Sequence, residues 1–231
     1  MGNGAPLARV LETLVDWVFP PKCGGCGRVG QHLCPQCLAQ IAYIGADARA
    51  AWWANPWGAP ALRGIRSVAW FDGPLRTAVH NFKYNGQRVL ARPLADLLLQ
   101  DWERRRLPVD VVVAVPLHPQ RQKERGYNQS HLLAMAFSRG SGIPAAKNAL
   151  RRTRHTLPQV TLAAVERWQN VQGAFQGDPA TLSHRSVLLI DDVCTTGATL
   201  EACARAALEA GARAVWAMTV CRPRLPDGDR E

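Results

Sequence analysis

The chain has 231 residues, of which 47% are hydrophobic, and it carries 28 lysines and arginines against 18 aspartates and glutamates. This length accommodates one α/β domain with a small appendage, and the hydrophobic fraction is sufficient for a sizeable core. No apolar run approaches the roughly 20 residues that a membrane-spanning helix needs, which excludes an integral membrane protein with helical spans. The positive charge is compatible with nucleic acid or with a polyphosphate small molecule, so charge alone does not select a partner.

The first 20 residues are predicted to form an amphipathic helix. Apolar residues recur at spacings of three and four over residues 6–18, and Pro20 and Pro21 end the pattern. The segment lacks the basic n-region and the uninterrupted apolar core of a secretory signal, so the sequence predicts a cytoplasmic protein. Its polar face has no basic cluster, which favours packing on the rest of the protein over binding to a membrane surface.

Residues 21–46 contain four cysteines in two CxxC knuckles, and we predict that they form a zinc-binding module. The cysteines are Cys23, Cys26, Cys34 and Cys37. Two knuckles supply the four thiolates of a closed structural zinc site. Thioredoxin-type redox motifs are the alternative, which is less favoured because neither CxxC opens a helix after a strand. Disulfides are disfavoured in a cytoplasmic chain.

Residues 47–62 are predicted to be a linker that is rich in tryptophan. Trp52, Trp53 and Trp57 lie among alanine, proline and glycine, without periodicity. Such side chains can stack on the bases of a single strand. More often they lock a module onto its neighbour, and both interpretations remain open.

Residues 63–222 are predicted to form a parallel-sheet α/β domain, followed by a polar tail over 223–231. Strands are expected at 65–71, 109–115, 187–190 and 214–220, and helices at 75–84, 89–102, 130–138 and 199–210. The runs at 109–115 and 187–190 are continuously apolar, which is typical of strands buried on both faces of a parallel sheet. A further strand is expected through Ala149, and a long polar lid segment ending near Phe175 is expected to contain a short helix at 162–168.

The stretch 186–200 is the most informative in the chain. Asp191 and Asp192 come at the carboxyl end of a buried strand, where open α/β sheets bind their ligands. The small and hydroxylated residues of 195–199 let backbone N–H groups approach an anion at the start of the next helix. A ribose 5-phosphate fits both features, with its phosphate on the loop and its hydroxyls, or a hydrated divalent cation, on the acids. The alternative is an ordinary turn in which these residues cap the helix.

A second candidate anion site follows the strand at 109–115. The loop that begins at Pro116 leads at once to Arg121, Lys123 and Arg125. Guanidinium groups suit phosphate by their planar fork of donors, and sheet topology places this loop beside the first site. The alternative is a solvated basic loop.

An ordered set of motifs resembles the ComF (ComFC/GntX-like) competence family. The motifs are the four-cysteine knuckles, Phe82-Lys-Tyr-Asn-Gly86, Val115-Pro-Leu-His118, Arg125-Gly-Tyr-Asn-Gln129 and Asp191-Asp-Val-Cys-Thr-Thr-Gly-Ala-Thr199. The last is similar to the loop that binds phosphoribosyl pyrophosphate (PRPP) in type I phosphoribosyltransferases. The resemblance implies a type I phosphoribosyltransferase-like fold, PRPP with Mg²⁺ as ligand, a structural Zn²⁺, and a role in natural competence.

The resemblance also implies roles for individual positions. Asp191 and Asp192 would hold the ribose hydroxyls and Mg²⁺, and the 5-phosphate would lie on Thr195, Thr196, Gly197, Ala198 and Thr199. The pyrophosphate would face Lys83, Leu117, His118, Arg121 and Arg125. The lid would contribute Arg152, Gln159, Arg167 and Asn170.

Two classes of function remain open on the sequence. The first is a PRPP-binding protein that acts in the uptake of single-stranded transforming DNA, at the cytoplasmic side of the inner membrane, with a DNA-uptake helicase or an inner-membrane channel as partner. The second is an active transferase that moves ribose 5-phosphate to an unidentified acceptor. In hypoxanthine-type transferases an aspartate before Thr-Gly can serve as the general base. This chain has Thr195 there, which disfavours purine salvage.

Overall fold

The computed structural model describes residues 20–45, 59–154 and 164–224 of the chain. The predicted N-terminal helix, the three linker tryptophans, the lid residue Gln159 and most of the polar tail lie outside these ranges. Among the described residues, no helix is both long enough and apolar enough to cross a bilayer.

The described residues contain seven strands and eight α-helices. The strands are β1 (Ile65–Trp70), β2 (Val111–Ala114), β3 (Ala145–Ala146), β4 (Leu150–Arg152), β5 (Phe175–Gly177), β6 (Ser186–Val193) and β7 (Ala214–Arg222). The helices are α1 (Pro35–Ala39), α2 (Gly73–Tyr84), α3 (Ala91–Arg104), α4 (Pro119–Arg125), α5 (Gln129–Ser141), α6 (Ala164–Val171), α7 (Pro179–Leu182) and α8 (Ala198–Glu209), with a 3₁₀ turn at Arg88–Leu90.

Five strands form a parallel sheet in the order β1-β7-β6-β2-β3, which confirms the predicted α/β fold. Successive side chains of β6 point to opposite faces of the sheet, so they pack in two different hydrophobic cores. Leu188 and Ile190 pack with α2, α3 and α5, whereas Val187 and Leu189 pack with α6, α8 and the β4–β5 pair. The continuous apolar runs in the sequence therefore reflect burial on both faces.

The structure differs from the sequence-based prediction in three places. The basic segment after β2 is not a loop throughout, because His118 caps the helix α4 and Gly126, at φ 77°, ends it. The strand expected through Ala149 is only two residues long, since Asn148 adopts a positive φ of 59° before β4 pairs antiparallel with β5. The second cysteine knuckle does begin a helix, α1, although no strand precedes it within residues 20–34.

The two ends of the parallel sheet are built from different parts of the chain. At the carboxyl end, where the strands finish, the start of α5 contacts β6 through Ser130 and Asp191. At the amino end, α3 finishes beside the start of β1, because Arg66 donates a hydrogen bond of 2.7 Å to the carbonyl of Arg105. Helix α5 also finishes at the amino end, where Val112 donates to the carbonyl of Pro144.

Candidate functional site

Two adjacent carboxylates lie at the carboxyl end of the sheet, near the end of β6. Asp192 is 2% exposed, and its Oδ2 atom lies 3.1 Å from Nζ of Lys83, the penultimate residue of α2. Asp191 is half-buried, and its Oδ1 atom accepts a hydrogen bond of 2.6 Å from the hydroxyl of Ser130. The structure therefore brings α2, α5 and β6 together through two polar contacts.

Lys83 is paired with Asp192 and does not point freely into solvent. Burial opposes its charged form, but the negative charges of Asp192 and Asp191 outweigh burial and raise the pKa of Lys83. The sequence placed Lys83 beside pyrophosphate. In the structure its ammonium group neutralises Asp192, one of the two acids.

The carboxyl group of Asp191 is held in an environment that favours its protonated form. Burial and the neighbouring charge of Asp192 raise the pKa of Asp191 to about 7. The hydrogen bond from Ser130 and the charge of Lys83 oppose that rise. Asp191 therefore changes charge close to neutral pH, and a ligand that needs the carboxylate binds with loss of a proton.

We expect the stability of the protein to fall as pH rises through about 7. The folded protein keeps the Asp191 proton between its ordinary pKa of 3.8 and about 7, whereas the unfolded chain has released it. This contribution is fully present below pH 3.8 and is lost as pH rises through the folded pKa. Urea unfolding at pH 5, 6, 7 and 8 measures the trend.

Variants at three positions identify the group that causes this pH dependence. Asp191→Asn is expected to flatten it, and Ser130→Ala is expected to shift it to higher pH because a hydrogen bond that lowers the pKa is removed. Asp96→Asn, an exposed acid on α3, is the matched control and should keep the wild-type slope. An unchanged slope in Asp191→Asn would contradict the assignment.

The segment 125–130 positions the acids, and its role was missed by sequence reasoning. Tyr127 donates to the carbonyl of Phe82, the residue before Lys83. Asn128 donates to the carbonyl of Val115 at 3.1 Å and caps α5 by accepting from the backbone N–H of Ser130 at 2.9 Å. The available signal was the Arg125-Gly-Tyr-Asn-Gln129 motif.

The turn between β6 and α8 is short and well anchored. Cys194 donates from its backbone N–H to the carbonyl of Cys221, and Gly197 has a φ of 80°, which favours glycine. Thr195, Thr196 and Thr199 are half-buried, and Gly197 and Ala198 are buried. The turn leads into the twelve-residue helix α8, and the backbone N–H of Ala198 donates to the hydroxyl of Thr196 at 3.5 Å.

The first turn of α8 also holds the segment that leads into the domain. Glu201 is 2% exposed, and its carboxylate accepts backbone hydrogen bonds from Ala61 at 2.6 Å and Leu62 at 3.2 Å. Leu62 is itself buried in the core. The last residues of the predicted linker are therefore packed on the helix that begins at the candidate site.

The predicted pyrophosphate residues lie after β2 and along α4. Leu117, His118, Arg121 and Arg125 are all half-buried. The Arg125 guanidinium lies 5.2 Å from the ring centroid of Tyr84 and donates to the side chain of Gln129. A cation held over an aromatic ring is oriented as well as attracted, so Arg125 is fixed next to the residue that follows Lys83.

The predicted lid residues are only partly described. Arg152, on β4, has its guanidinium 5.4 Å from the ring centroid of Phe175. Burial lowers the pKa of Arg152 and the like charge of Arg121 lowers it further, whereas the negative charge of Asp191 opposes both. Arg152 thus lies within electrostatic reach of the acids and of α4. Arg167 and Asn170 belong to α6, and Asn170 is half-buried.

The four cysteines of the N-terminal module form a separate candidate metal site. Their sulfur atoms all lie within 4.8 Å of one another, and the Cys23–Cys37 and Cys26–Cys34 pairs are each separated by 3.6 Å. A tetrahedral ion with Zn–S bonds of about 2.3 Å requires sulfur separations of about 3.8 Å. Although burial raises the pKa of Cys23, N–H groups of Cys34, Cys26 and Gly25 lower it to about 6. The cluster fits one structural zinc ion bound by thiolates.

The zinc module packs on α2, the helix that carries Lys83. Asn81 donates a hydrogen bond of 2.8 Å to the carbonyl of Gly24, and Ala78 is buried against the cysteines. A Cβ atom on Gly25 would lie 2.9 Å from Sγ of Cys37 and 3.1 Å from Cβ of Pro74. Only glycine therefore fits between the metal cluster and the start of α2.

Comparison with known proteins agrees with this architecture. Residues 14–50 match the double zinc ribbon domain. The chain is 34% identical over 191 residues to competence protein F of Haemophilus influenzae, covering 78% of this chain and 75% of that protein. It is 32% identical over 223 residues to DNA utilization protein YhgH of Escherichia coli K12, covering 94% and 95%. The chain belongs to the competence protein F (ComF) family.

Membership of the ComF family is consistent with the ordered motifs in the sequence. Among solved structures, the chain is similar to glutamine PRPP amidotransferase from B. subtilis, with 17% identity and a TM-score of 0.42 over 61% of this chain and 30% of that chain. The ComF assignment rests on the sequence relatives.

Proposed function

We propose that this ComF protein binds PRPP at the carboxyl end of its sheet and acts in the uptake or utilisation of imported DNA. The observation that carries the proposal is the placement of Asp191 and Asp192 directly before the turn that opens α8. The acids offer acceptors for sugar hydroxyls, and the helix start offers N–H groups for a phosphate. The names of the two relatives, a competence protein and a DNA utilization protein, support the biological role.

The helix dipole and the turn together suit the 5-phosphate. The N-terminus of a helix carries a partial positive charge, and its first N–H groups point towards an incoming anion. Residues Thr195–Thr199 would supply these groups and their hydroxyls. The described turn has no acidic residue between Asp192 and Glu201. The negative charge of the protein therefore lies where the ribose would bind and not where the 5-phosphate would bind.

Mg²⁺ would be held on the ribose side, where Asp191 is the available carboxylate. Oxygen ligands at this position suit Mg²⁺, which usually binds one or two carboxylates together with phosphate oxygens and water. The bound ion would neutralise charge between the acid and the pyrophosphate. Lys83 supports this arrangement by neutralising Asp192.

The pyrophosphate would face a positively charged wall formed by α4 and β4. Arg121, Arg125 and Arg152 supply its charge, and Leu117 and His118 form the loop that leads to it. The lid residues Gln159, Arg167 and Asn170 are proposed to close over the ligand. Arg125 is already oriented by Tyr84 and Gln129, which lowers the entropic cost of binding.

The proposal includes the organisation of the whole chain. Residues 21–46 would form the module that binds structural zinc, and residues 63–222 would form the PRPP-binding domain. Single-stranded DNA, a DNA-uptake helicase and an inner-membrane channel are the proposed partners. The protein would act in the cytoplasm, next to the inner membrane.

Calorimetry with PRPP and Mg²⁺ tests the proposed ligand. We expect saturable binding to the wild type and at least tenfold weaker binding to Asp191→Asn, with Asp96→Asn as the matched acid-to-amide control. An absence of binding at millimolar PRPP would overturn the proposal. In a pyrophosphate assay we expect no release across candidate acceptors, and release that Asp192→Asn abolishes would show turnover instead.

A further inference from the structure

A second concentration of positive charge lies at the amino end of the sheet, away from the acids. Six exposed arginines cluster where α3 and α5 finish and where β6 and β7 begin. They are Arg104, Arg105, Arg106, Arg139, Arg185 and Arg213. The PRPP site uses none of them.

Backbone and side-chain contacts join these positions into one surface. The carbonyl of Arg105 accepts from Arg66 at the start of β1, which fixes the end of α3 against the sheet. The backbone N–H of Arg213 donates to the carbonyl of Arg185 at 2.8 Å. The Arg213 guanidinium also contacts the hydroxyl of Ser186 at 2.9 Å, at the first residue of β6. These contacts join the starts of β6 and β7 and hold the end of α3 beside the start of β1.

The acids on this surface balance only part of its charge. Glu103 pairs with Arg106 at 2.7 Å, and Asp110 pairs with Arg213 at 3.1 Å. Within residues 20–45, 59–154 and 164–224, Arg104, Arg105, Arg139 and Arg185 form no ion pair. A surplus of exposed guanidinium groups remains.

The surface is separated from the PRPP site by the length of α5. That helix begins at Gln129, its second residue Ser130 contacts Asp191, and its thirteen residues span about 20 Å at 1.5 Å per residue. Arg139 lies in its last turn. One ligand the size of PRPP does not reach both ends.

We infer that the amino end of the sheet binds DNA through its phosphate backbone, independently of PRPP. This inference rests on the DNA role in the proposed function, and it places the strand outside the PRPP pocket. Exposed arginines match a polyanion in charge and in hydrogen-bond geometry. Binding through phosphates alone is independent of base sequence.

The apolar side chains of the described residues favour DNA over a membrane. A membrane-surface helix needs exposed apolar side chains that enter the bilayer. The large exposed hydrophobic residues, Val29, Tyr43, Tyr84 and Val89, lie in the zinc module or near α2 and not at the amino end. Among the described residues, no exposed Trp, Tyr or Phe at the amino end is available to stack on bases. Binding there would therefore be through the phosphates.

Fluorescence anisotropy of a labelled 30-nucleotide oligothymidylate tests this surface. The variant combines Arg104→Gln, Arg139→Gln and Arg185→Gln. The matched control combines Arg28→Gln, Arg76→Gln and Arg92→Gln, which are exposed elsewhere and remove the same charge. Titrations between 50 and 200 mM NaCl give the affinity and its salt dependence.

We expect the amino-end variant to bind the oligonucleotide at least tenfold more weakly. The slope of log K against log salt should become shallower by about 2, because each lost phosphate contact on a single strand removes about 0.7. The control should change the affinity less than threefold. Equal weakening in both variants would mean that net charge alone binds DNA and would overturn the inference.

Two further measurements separate this inference from the proposed function. Saturating PRPP should leave oligonucleotide binding unchanged, whereas displacement would place the DNA in the PRPP pocket. PRPP calorimetry on the amino-end variant should give the wild-type affinity; its loss there would contradict independence of the two sites. Failure of PRPP to bind the wild type would refute the proposed ligand without affecting the DNA result. Binding to phosphatidylglycerol vesicles without binding to oligonucleotide would favour a membrane instead.

Discussion

Replacing Lys83 with methionine is expected to destabilise the protein by about 3 kcal/mol and to abolish PRPP binding. The substitution leaves the carboxylate of Asp192, which is 2% exposed, without the ammonium group that lies 3.1 Å away. Removing one partner of a buried ion pair costs about 3–5 kcal/mol, because the remaining charge has lost both water and its partner. Urea unfolding measures the stability, and calorimetry measures the ligand.

A double variant separates stability from ligand binding. Lys83→Met combined with Asp192→Asn removes both charges, and asparagine can still accept the hydrogen bond that Val193 donates to Oδ1 of Asp192. We expect most of the lost stability to return, because the double variant leaves no buried charge without a partner. PRPP binding should stay lost. Lys123→Met, at an exposed position on α4, is the control for stability. A Lys83→Met protein within 0.5 kcal/mol of wild type would show that the ion pair has no structural role.

Removing zinc is expected to lower the affinity for PRPP as well as the melting temperature. The metal cluster supports the face of α2 formed by Pro74, Ala78 and Asn81, and the same helix carries Lys83. Without the ion, the four clustered cysteines take up protons and lose the bonds that hold them together, so the module opens and α2 loses its support. Elemental analysis should give one zinc per chain before chelation, and calorimetry follows the loss of PRPP binding.

Asn81→Ala is the companion variant for the zinc experiment. It removes the hydrogen bond from α2 to the carbonyl of Gly24 but leaves every cysteine in place. We expect the zinc content to stay at one per chain while the affinity for PRPP falls by several-fold. Readdition of zinc to the chelated wild type should restore binding. Full PRPP affinity in the zinc-free protein would rule out support through α2.

The sequence predicted the sheet and its carboxyl end because those features follow from local patterns. The apolar run before Asp191 and the small residues after Asp192 are sufficient to predict a strand, a turn and a helix in that order. The four cysteines were equally predictable, since two knuckles determine which atoms meet. The residues that define the strand, turn and helix lie close together in the sequence, and so do the four cysteines.

The polar contacts around the acids could not be predicted in the same way. The Lys83–Asp192 pair and the Ser130–Asp191 hydrogen bond join residues that are far apart in the chain, and no periodicity encodes them. The role of Ser130 depends on the crossing of α5 over the end of β6, which only the packed structure provides. The helix α4 was missed because its sequence has charge but no apolar stripe, and its caps alone define it.

The anchoring of α2 on the zinc module sets a limit on how the protein can be dissected. A fragment that starts after residue 58 would expose to water the small-residue surface that now receives Gly24 and Gly25. Such a truncation would remove the metal site and expose a face of α2 at the same time. Aggregation through the exposed helix could then be mistaken for an effect of metal loss. Genetic separation of the two halves therefore calls for point substitutions in an intact gene, not for deletion of either half.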